Sequence, residues 1–395
     1  MWRELGEGGV TALGAATLFG TGYLARLALA ARPLARSIPA SVLRLDVIIP
    51  AHNEAAGIRA TLESLSATAY PVESRRLIVI ADNCDDATAA RAREGGALVL
   101  ERHDLTRRGK GHALAHGFAW SAREAWAEGV VVVDADSDVN PEFFSALASR
   151  LAAGAQAVQA DYRIRNVGDG WRTRLMEVVF ALQHTTRSLG RERLGWSCGL
   201  RGNGMAFRPS VLEAVPYAAF SMVEDIEYGI QLGLSGVRVE YAHDAVVRGD
   251  MPSAASAART QRERWERGRT ALRAQWTGPL ARATLRGAPL AGDLLCDLVV
   301  PPLATVGVLT VGGLVAALLL WTTGSSPWVV LPHLVAMGAL LAYLARGVQR
   351  TGRPWAAFVA LCCAPWYIVW KFLGVRPTSA ARDGEWVRTP RPADS

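Results

Sequence analysis

The sequence predicts an α/β domain with a mostly parallel sheet, joined to helices long and apolar enough to cross a membrane. Short β-branched runs alternate with helical stretches in which apolar residues recur every three or four positions. Strands that alternate with helices are typical of a parallel sheet, where ligands bind beyond the carboxyl ends of the strands. Long uncharged segments lie near both ends of the 395-residue chain. The predicted strands are 46–50, 77–81, 97–100, 130–134 and 237–241.

Charge and cysteine content narrow the class of protein. The net charge is +7, from 43 basic and 36 acidic residues. This excess suits an anionic ligand or lipid headgroups, although the basic cytoplasmic loops of a membrane protein would produce it as well. The five cysteines are odd in number and lack the spacing of a zinc site. A disulfide framework is therefore not predicted, and we expect a reducing compartment.

The first 44 residues predict a membrane anchor and a basic linker. Residues 9–25 are uncharged and about one bilayer crossing long. A cleaved signal peptide fits less well, because the positive charges follow the apolar stretch instead of preceding it. By the positive-inside rule, the side after the anchor is cytoplasmic. The charges in question are Arg26, Arg32, Arg36 and Arg44.

Two further spans are predicted in residues 298–345, which contain no Asp, Glu, Lys or Arg. They divide at the turn 322–327, and the three arginines in 346–353 place that turn outside and themselves inside. A third apolar stretch, 354–370, is interrupted by Pro365 and also followed by basic residues. It is either a span that breaks the charge rule or a re-entrant or interfacial helix, and we favour the second.

Polar residues follow three of the predicted strands. Asn53 and Glu54 follow the first and Asp82 the second, where they could bind a ligand or cap the next helix. Asp134 and Asp136 follow the fourth, and two carboxylates at this spacing on an extended strand end can point the same way. Such oxygen ligands suit Mg²⁺ or Mn²⁺ with positions left open for phosphates, although a turn alone would explain the pair.

Three helical segments could also carry chemistry. Lys110, one of two lysines in the chain, opens a helix within a Gly-Lys-Gly sequence that could lie near a phosphate or form a turn. Glu224 and Asp225 begin another helix, where the helix dipole alone favours acids. An arginine-rich stretch offers a phosphate clamp and a stacking surface, or a basic helix that lies on the membrane. Its candidate residues are Gln261, Arg264 and Trp265.

The order of these motifs resembles that of the membrane-bound family 2 glycosyltransferases. This family includes the cellulose, hyaluronan and poly-N-acetylglucosamine synthases and the ceramide glucosyltransferases. The likeness covers roughly residues 46–265. It implies a GT-A fold, Rossmann-like with a mostly parallel sheet, at 45–250, interfacial helices at 251–292, transmembrane helices at 293–374 and a cytoplasmic tail at 375–395.

The resemblance also implies a role for each candidate residue in inverting transfer from a nucleoside-diphosphate sugar, expected to be a UDP-sugar. Asp225 would be the general base and Asp136 the ligand of Mg²⁺ or Mn²⁺. Asp82 would bind the nucleobase and Asp134 the nucleotide-sugar. The other implied nucleotide-sugar-binding residues are Asn53, Glu54 and Lys110. Those expected to hold the diphosphate and the acceptor are Glu224, Gln261, Arg264 and Trp265.

The sequence departs from the family pattern in two places. Ala81 stands where the family more often has a first aspartate before Asp82. The segment 201–205, Arg-Gly-Asn-Gly-Met, replaces the aromatic-Val-Thr-Gly acceptor motif of the large synthases. The second departure argues against a processive, cellulose-like mechanism.

From the resemblance we expect synthesis of a β-linked surface polysaccharide at the inner (plasma) membrane, with the catalytic domain in the cytoplasm. The alternative is transfer of a single sugar to a lipid acceptor. The expected partners are the donor, a polysaccharide or lipid acceptor and the bilayer, with no nucleic acid. So few spans make a thin channel wall, so a polymer channel would need an export partner or a homo-oligomer. A sugar-nucleotide pyrophosphorylase fits less well, because its first strand would end in a glycine-rich loop instead of Pro50-Ala51-His52-Asn53.

Overall fold

The centre of the fold is a sheet of eight strands. This structure, a computed structural model, describes residues 2–33, 40–252 and 254–373. In chain order the strands are β1 (Leu45–Ala51), β2 (Arg75–Asp82), β3 (Leu98–Arg102), β4 (Gly129–Val132), β5 (Asp138–Val139), β6 (Ala157–Ile164), β7 (Met205–Phe207) and β8 (Val239–Gly249). They lie side by side in the order β3-β2-β1-β4-β7-β6-β8-β5.

Most pairings in the sheet are parallel, as predicted. β1 pairs in parallel with β2 on one side and with β4 on the other, β3 extends the sheet beyond β2, and β6 is parallel to β8. β7 is antiparallel to β4 and β6, and β5 is antiparallel to β8. The carboxyl ends of β1, β2 and β4 therefore meet at one edge of the sheet, where a ligand site is expected.

The five strands predicted from the sequence correspond to β1 to β4 and β8. The sequence analysis missed the other three. β6 contains Gln159 and Asp161, which are polar yet have no exposed surface, so this strand lacks the continuous apolar run that marks its neighbours. β5 and β7 have only two and three residues, too few for a periodic pattern.

Helices cover both faces of the sheet and extend beyond it. They are α1 (Trp2–Ala30), α2 (Ile58–Ser66), α3 (Thr88–Glu94), α4 (Lys110–Glu124), α5 (Phe143–Ala152), α6 (Trp171–Phe180), α7 (Arg187–Arg193), α8 (Pro209–Ala214), α9 (Glu224–Leu234), α10 (Ala255–Leu285), α11 (Ala291–Val299), α12 (Leu303–Thr322), α13 (Leu331–Arg350), α14 (Pro354–Cys362) and α15 (Ala364–Leu373). A π-helical stretch, Ala181–Thr186, joins α6 to α7.

The strand alternation of β1 divides the core into two layers. Val47 and Ile49 face one buried cluster, which includes Leu62 of α2. Ile48 faces the other, which includes Leu114 of α4. All of these side chains are almost completely buried, and each contributes about 1.5–3 kcal/mol through removal of apolar surface from water. This packing fixes the edge of the sheet where the polar residues lie.

Three helices are long and apolar enough to cross a membrane: Gly6–Ala30, Leu303–Thr322 and Pro327–Arg350. They correspond to the predicted anchor and the two predicted spans. The N-terminal helix packs against both C-terminal ones. Buried His333 of α13 lies between them, with Nε2 3.1 Å from the carbonyl oxygen of Val10. Gly14 and Gly313 leave the space for its ring, since a Cβ at either position would come within 3.1 Å of it.

The arginines after the last of these helices differ in structure from the expected loop. Arg346 and Arg350 belong to the last turns of α13, and both donate hydrogen bonds to the carbonyl of Ala31, at 2.8 and 2.7 Å. That carbonyl lies just past the end of α1. Helix α13 therefore continues through residues that the sequence analysis placed in a loop, because their acceptor on α1 is not visible in sequence periodicity. The basic ends of α1 and α13 therefore lie on the same side of the helical bundle.

The third apolar stretch, 354–370, forms two short helices, α14 and α15, which are separated at Cys363. At nine and ten residues, neither is long enough to cross a bilayer by itself. Trp355 and Trp366 are exposed on them, as is typical of helices at a membrane–water interface. The predicted tail at 375–395 and Arg36 of the linker lie outside the described residues.

Candidate active site

The polar residues that follow β1, β2 and β4 lie at the edge of the sheet where these parallel strands end. Two helices begin at the same edge. The amino end of α4 brings Lys110, and the amino end of α9 brings Glu224 and Asp225. Residues that are far apart in the sequence therefore meet here.

The ammonium group of Lys110 connects the turn after β4, the start of α9 and the segment before β7. Its Nζ lies 2.6 Å from Oδ1 of Asp134 and 3.8 Å from Oε1 of Glu224, and it donates a hydrogen bond of 2.6 Å to the carbonyl of Gly202. Burial disfavours the charged form of this side chain. The carboxylates of Asp134 and Glu224 outweigh that effect and raise the pKa of Lys110 above its usual value.

Asp225, at the start of α9, approaches Gly202 as Lys110 does. Gly202 has a φ of +77°, and a Cβ there would lie 3.4 Å from both Asp225 Oδ2 and Lys110 Nζ. The positive φ favours glycine at this position, and both charged groups lie within van der Waals contact of it. Burial raises the pKa of Asp225, and it raises the pKa of Glu224 to about 7, whereas the nearby ammonium of Lys110 opposes both shifts.

Asn203 holds the turn that carries Asp134 and Asp136. Its Oδ1 accepts a hydrogen bond of 3.1 Å from the backbone N–H of Asp134, and its Nδ2 donates one of 2.8 Å to Ser137 Oγ. Buried Gln159 of β6 in turn donates to the Asn203 carbonyl at 2.7 Å. The sequence analysis assigned no role to Asn203 or Gln159. The Gly-Asn-Gly sequence at 202–204 was the signal that could have identified Asn203.

Asp134 and Asp136 lie close enough to the buried hydroxyl of Tyr162 for their charges to act on it. Burial raises the pKa of this tyrosine, and the negative charges of the two aspartates raise it further. Mg²⁺ and Mn²⁺ commonly bind one or two carboxylates together with substrate phosphates, instead of a complete protein cage. In the described part of the chain, no three acidic, His or Cys side chains converge on one point. The donor set at Asp134 and Asp136 therefore fits a divalent ion that shares its coordination with a ligand.

At the edge of the sheet, Asp82 forms an ion pair with an arginine of the neighbouring strand. Its Oδ1 lies 2.6 Å from Arg102 at the end of β3, and its side chain is almost fully buried. Arg102 also contacts Asp104 at 3.1 Å, and Nδ1 of His52 lies 2.7 Å from the Asp82 carbonyl oxygen. The predicted nucleobase contact is thus paired with an arginine of β3, the strand next to β2. The sequence analysis missed this arginine.

Asn53 and Glu54 form the loop between β1 and α2. Asn53 has a φ of +55°, and its Oδ1 accepts a hydrogen bond of 3.0 Å from the backbone N–H of Asp85. The backbone N–H of Glu54 donates to Thr88 Oγ1 at 2.7 Å. These contacts join the loops after β1 and β2 at the edge of the sheet. Neither side chain caps α2, which begins at Ile58 without a side-chain cap.

The helix α10 brings Gln261, Arg264 and Trp265 beside the start of α9. At Gly268 a Cβ would lie 2.8 Å from Val223, the residue before Glu224, so the two helices approach closely there. Trp265 is half-buried and packs against the apolar cluster that contains Val223. The Nε of Arg264 is buried and has no hydrogen-bond partner among the described residues. This buried donor is available to an anionic ligand.

Comparison with known proteins identifies the domain. The family model described as "Glycosyltransferase like family 2" matches residues 44–268, more than half of the chain. The chain belongs to this family. Its solved structural neighbours include the mannosyltransferase PcManGT from Pyrobaculum calidifontis in complex with GDP-Man and Mn²⁺, with a TM-score of 0.54 and 20% identity over 91% of this chain and 99% of that one. The prediction of a GT-A-type domain with apolar helices at both ends is confirmed.

Curated relatives of this glycosyltransferase domain are bacterial and plant proteins. The probable glycosyltransferase YdaM of Bacillus subtilis (strain 168) is 27% identical over 236 residues, which is 57% of this chain and 55% of that protein. The probable glucomannan 4-beta-mannosyltransferase 1 of Arabidopsis thaliana is 25% identical over 235 residues, 56% of this chain and 42% of that protein. The chain spans about half the length of these relatives.

Four of the site residues predicted for this family 2 domain come together around Gly202. They are Lys110, Asp134, Glu224 and Asp225. Asp136 lies on the same turn as Asp134. Asp82, Asn53 and Glu54 lie at the same edge of the sheet. Gln261, Arg264 and Trp265 approach from the neighbouring helix α10 without a direct contact to Asp225.

Proposed function

We propose that the chain is a membrane-bound, inverting glycosyltransferase that moves a sugar from a nucleoside-diphosphate sugar to a growing surface polysaccharide and forms a β-glycosidic bond. One observation carries the proposal: Lys110 and Asp225 flank Gly202 beside the turn that bears Asp134 and Asp136. A cation, a buried carboxylate and a pair of oxygen ligands at one strand edge are the groups that this transfer requires.

The donor side of the proposed site stabilises the leaving diphosphate. Held by Asp136 beside Asp134, a Mg²⁺ or Mn²⁺ ion would neutralise the charge that develops on the departing phosphate oxygens. Arg264 of α10 has a buried Nε–H without a partner among the described residues, which could donate to the diphosphate, and Lys110 keeps Asp134 in place. Preorganised charges of this kind usually make the largest contribution to catalysis. Asp82 contributes the nucleobase contact, steadied by Arg102.

The acceptor side needs one general base. An acceptor hydroxyl must lose its proton as it attacks the sugar from the face opposite the diphosphate, and one carboxylate is sufficient for a single displacement. Asp225 has this role in our proposal, because its raised pKa makes it a better proton acceptor than an ordinary aspartate. Glu224, which faces Lys110, is the less favoured base. Trp265 and Gln261 would contact the acceptor from α10.

The three apolar helices support the membrane setting in this proposal. The basic ends of α1 and α13 meet at Ala31, and by the positive-inside rule that side faces the cytoplasm. The catalytic domain would then act at the cytoplasmic face of the inner (plasma) membrane. Three spans make a thin wall for a polymer channel, so export of a polysaccharide would require a homo-oligomer or an export partner.

A second candidate is transfer of one sugar to a lipid acceptor. It is favoured by a recess between the catalytic domain and the apolar helices, whose walls include Leu24, Leu303 and Tyr343. Membranes that contain the full chain can be incubated with a panel of radiolabelled UDP- and GDP-sugars. Label that remains on high-molecular-weight material supports the polysaccharide acceptor, whereas label extracted into chloroform–methanol supports the lipid. Absence of transfer from every donor in the panel would contradict both.

A further inference from the structure

A cluster of buried and half-buried arginines lies between the catalytic domain and the apolar helices, and one of its members, Arg201, directly precedes Gly202. We call it the arginine cluster: Arg187, Arg191, Arg201, Arg269 and Arg273. Arg187 and Arg191 share the carboxylate of Asp297, each at 3.0 Å. Arg191, which has no exposed surface, also lies 3.1 Å from Asp293. Two carboxylates of α11 therefore form ion pairs with two guanidinium groups of α7.

The remaining three arginines of the cluster form no ion pair with a carboxylate of the described chain. Arg269 donates to the backbone carbonyl of Asp297, and Arg273 donates to the carbonyls of Leu298 and Val300 at 2.7 and 3.0 Å. Arg201 donates to the Cys198 carbonyl at 3.1 Å. Arginine stays protonated in proteins. The five positive charges of the cluster therefore exceed the two negative charges of Asp293 and Asp297 by three.

Several donors of the cluster also lack hydrogen-bond partners among the described residues. These are the buried Nε atoms of Arg187, Arg201 and Arg269 and Nη1 of Arg191. A buried charge that is not balanced is costly, and so is a buried donor without an acceptor. Basic residues near membrane helices usually lie on the surface, where neither cost arises. This cluster is therefore arranged for an anion that the chain does not supply.

Two recesses give a ligand access to the cluster, and both are lined by Arg269. The first is lined by Leu24, Leu303 and Tyr343 of the apolar helices together with Arg187. The second is lined by Arg201 and Ile226, the residue after Asp225. In the first recess, one wall is apolar and the other is formed by arginines. This combination matches an amphiphile with an anionic head.

We infer that the arginine cluster binds the phosphate headgroup of a membrane lipid whose chain extends along α1, α12 and α13. Guanidinium groups bind phosphate in a bidentate manner, and the apolar helices supply the environment for the alkyl chain. The inference rests on the membrane placement in the proposed function. Arg201 lies close enough to Asp225 for its charge to lower the pKa of that carboxyl, so the bound headgroup is coupled to the catalytic residue.

Binding of radiolabelled dodecyl phosphate to the purified full chain in dodecyl maltoside micelles tests this inference. We expect saturable binding, weakened about tenfold in Arg269→Gln, as the loss of one charged hydrogen-bond donor predicts. Arg282→Gln changes an exposed arginine of the same helix and should leave binding unchanged. Equal binding by the two variants would overturn the inference.

Two measurements keep the inference testable if Arg269→Gln does not fold. On the unmodified chain, inorganic phosphate should compete poorly with dodecyl phosphate, and dodecanol should bind at least tenfold more weakly. Competition by inorganic phosphate at equal affinity would mean that a free anion, not a lipid, is the ligand. Asp136→Ala should keep dodecyl phosphate binding and lose the divalent-dependent part of donor binding, so failure of the proposed catalytic function can be recognised separately.

Discussion

Lys110 Nζ lies 2.6 Å from Asp134 Oδ1, so the first residue of α4 is paired with the carboxylate that follows β4. This pair joins the helix that opens with Gly-Lys-Gly to the turn that bears Asp136. It also explains a lysine at this position in a chain that has only two lysines among its 43 basic residues. A flexible ammonium can contact Asp134, Glu224 and the Gly202 carbonyl at once, whereas a planar guanidinium is directed toward one bidentate partner.

Replacement of Lys110 by Met should destabilise the chain. The change leaves the partly buried carboxylates of Asp134 and Glu224 without their cation, which is expected to cost about 3 kcal/mol of unfolding free energy. Denaturant unfolding in micelles measures this. The matched control is Arg59→Gln, which removes the exposed pair with Glu63 and should cost less than about 0.5 kcal/mol. Similar losses in the two variants would show that the Lys110 pair has no special role.

Asn203→Ala should weaken metal activation more than it slows turnover. Asn203 does not contact the substrate in our account; it positions the Asp134–Ser137 turn through two hydrogen bonds. Loss of such a positioning residue typically costs about 10- to 100-fold in metal affinity. The measurement is the Mn²⁺ concentration that gives half-maximal activity. Asn166→Ala, which removes polar contacts to Asp169 and Met251, is the control, and an equal shift there would contradict the positioning role.

The divalent ion itself can be tested by removal and by mutation. A chelator should abolish transfer, and addition of Mg²⁺ or Mn²⁺ should restore it. In Asp136→Ala, donor binding measured by equilibrium dialysis should lose its dependence on the ion, because the carboxylate that holds it is gone. Activity that is undiminished in excess chelator would refute the metal role of Asp136.

The pH dependence of turnover should show a base with a raised pKa. Burial raises the pKa of Asp225, and a general base must be deprotonated, so kcat should fall on acidification at pH values above the ordinary aspartate range near about 3.9. The free energy of unfolding has the opposite dependence on pH. The folded chain binds the proton of Asp225 more tightly than the unfolded chain does, so stability should decrease as pH rises through the raised pKa.

The variant Glu224→Gln distinguishes the two acids in this pH profile. Glu224 also has a raised pKa, to about 7, and could produce the same acidic limb. If Asp225 is the base, the limb should remain in Glu224→Gln. Disappearance of the limb with retained activity at low pH would instead assign the titrating group to Glu224.

The sequence predicted the strands and the order of the motifs because both depend on local patterns. β1, β2 and β4 each contain a continuous apolar run, and each candidate acid ends or follows a strand or opens a helix. The contacts that complete the site are not local. Arg102 meets Asp82 only because β3 lies next to β2, and Asn203 reaches Asp134 only because β7 lies beside β4. β6 was missed because Gln159 is a buried polar residue whose partners are distant in the chain.

The arginine cluster illustrates the same limit. Its members come from α7, α10 and the loop before β7, and the two carboxylates that balance it come from α11. In the sequence these arginines cannot be distinguished from the basic residues that flank membrane helices. Only their burial and their shared partners separate them from an ordinary positive-inside pattern.

Transfer by Asp225→Asn tests the central claim most directly. With the radiolabelled nucleotide sugar that the unmodified chain uses, the variant should bind the donor with unchanged affinity. Its kcat should fall by at least about 100-fold, as expected for loss of a general base. Loss of donor binding together with residual turnover, or transfer at the unmodified rate, would contradict the assignment of Asp225 as the residue that removes the acceptor proton.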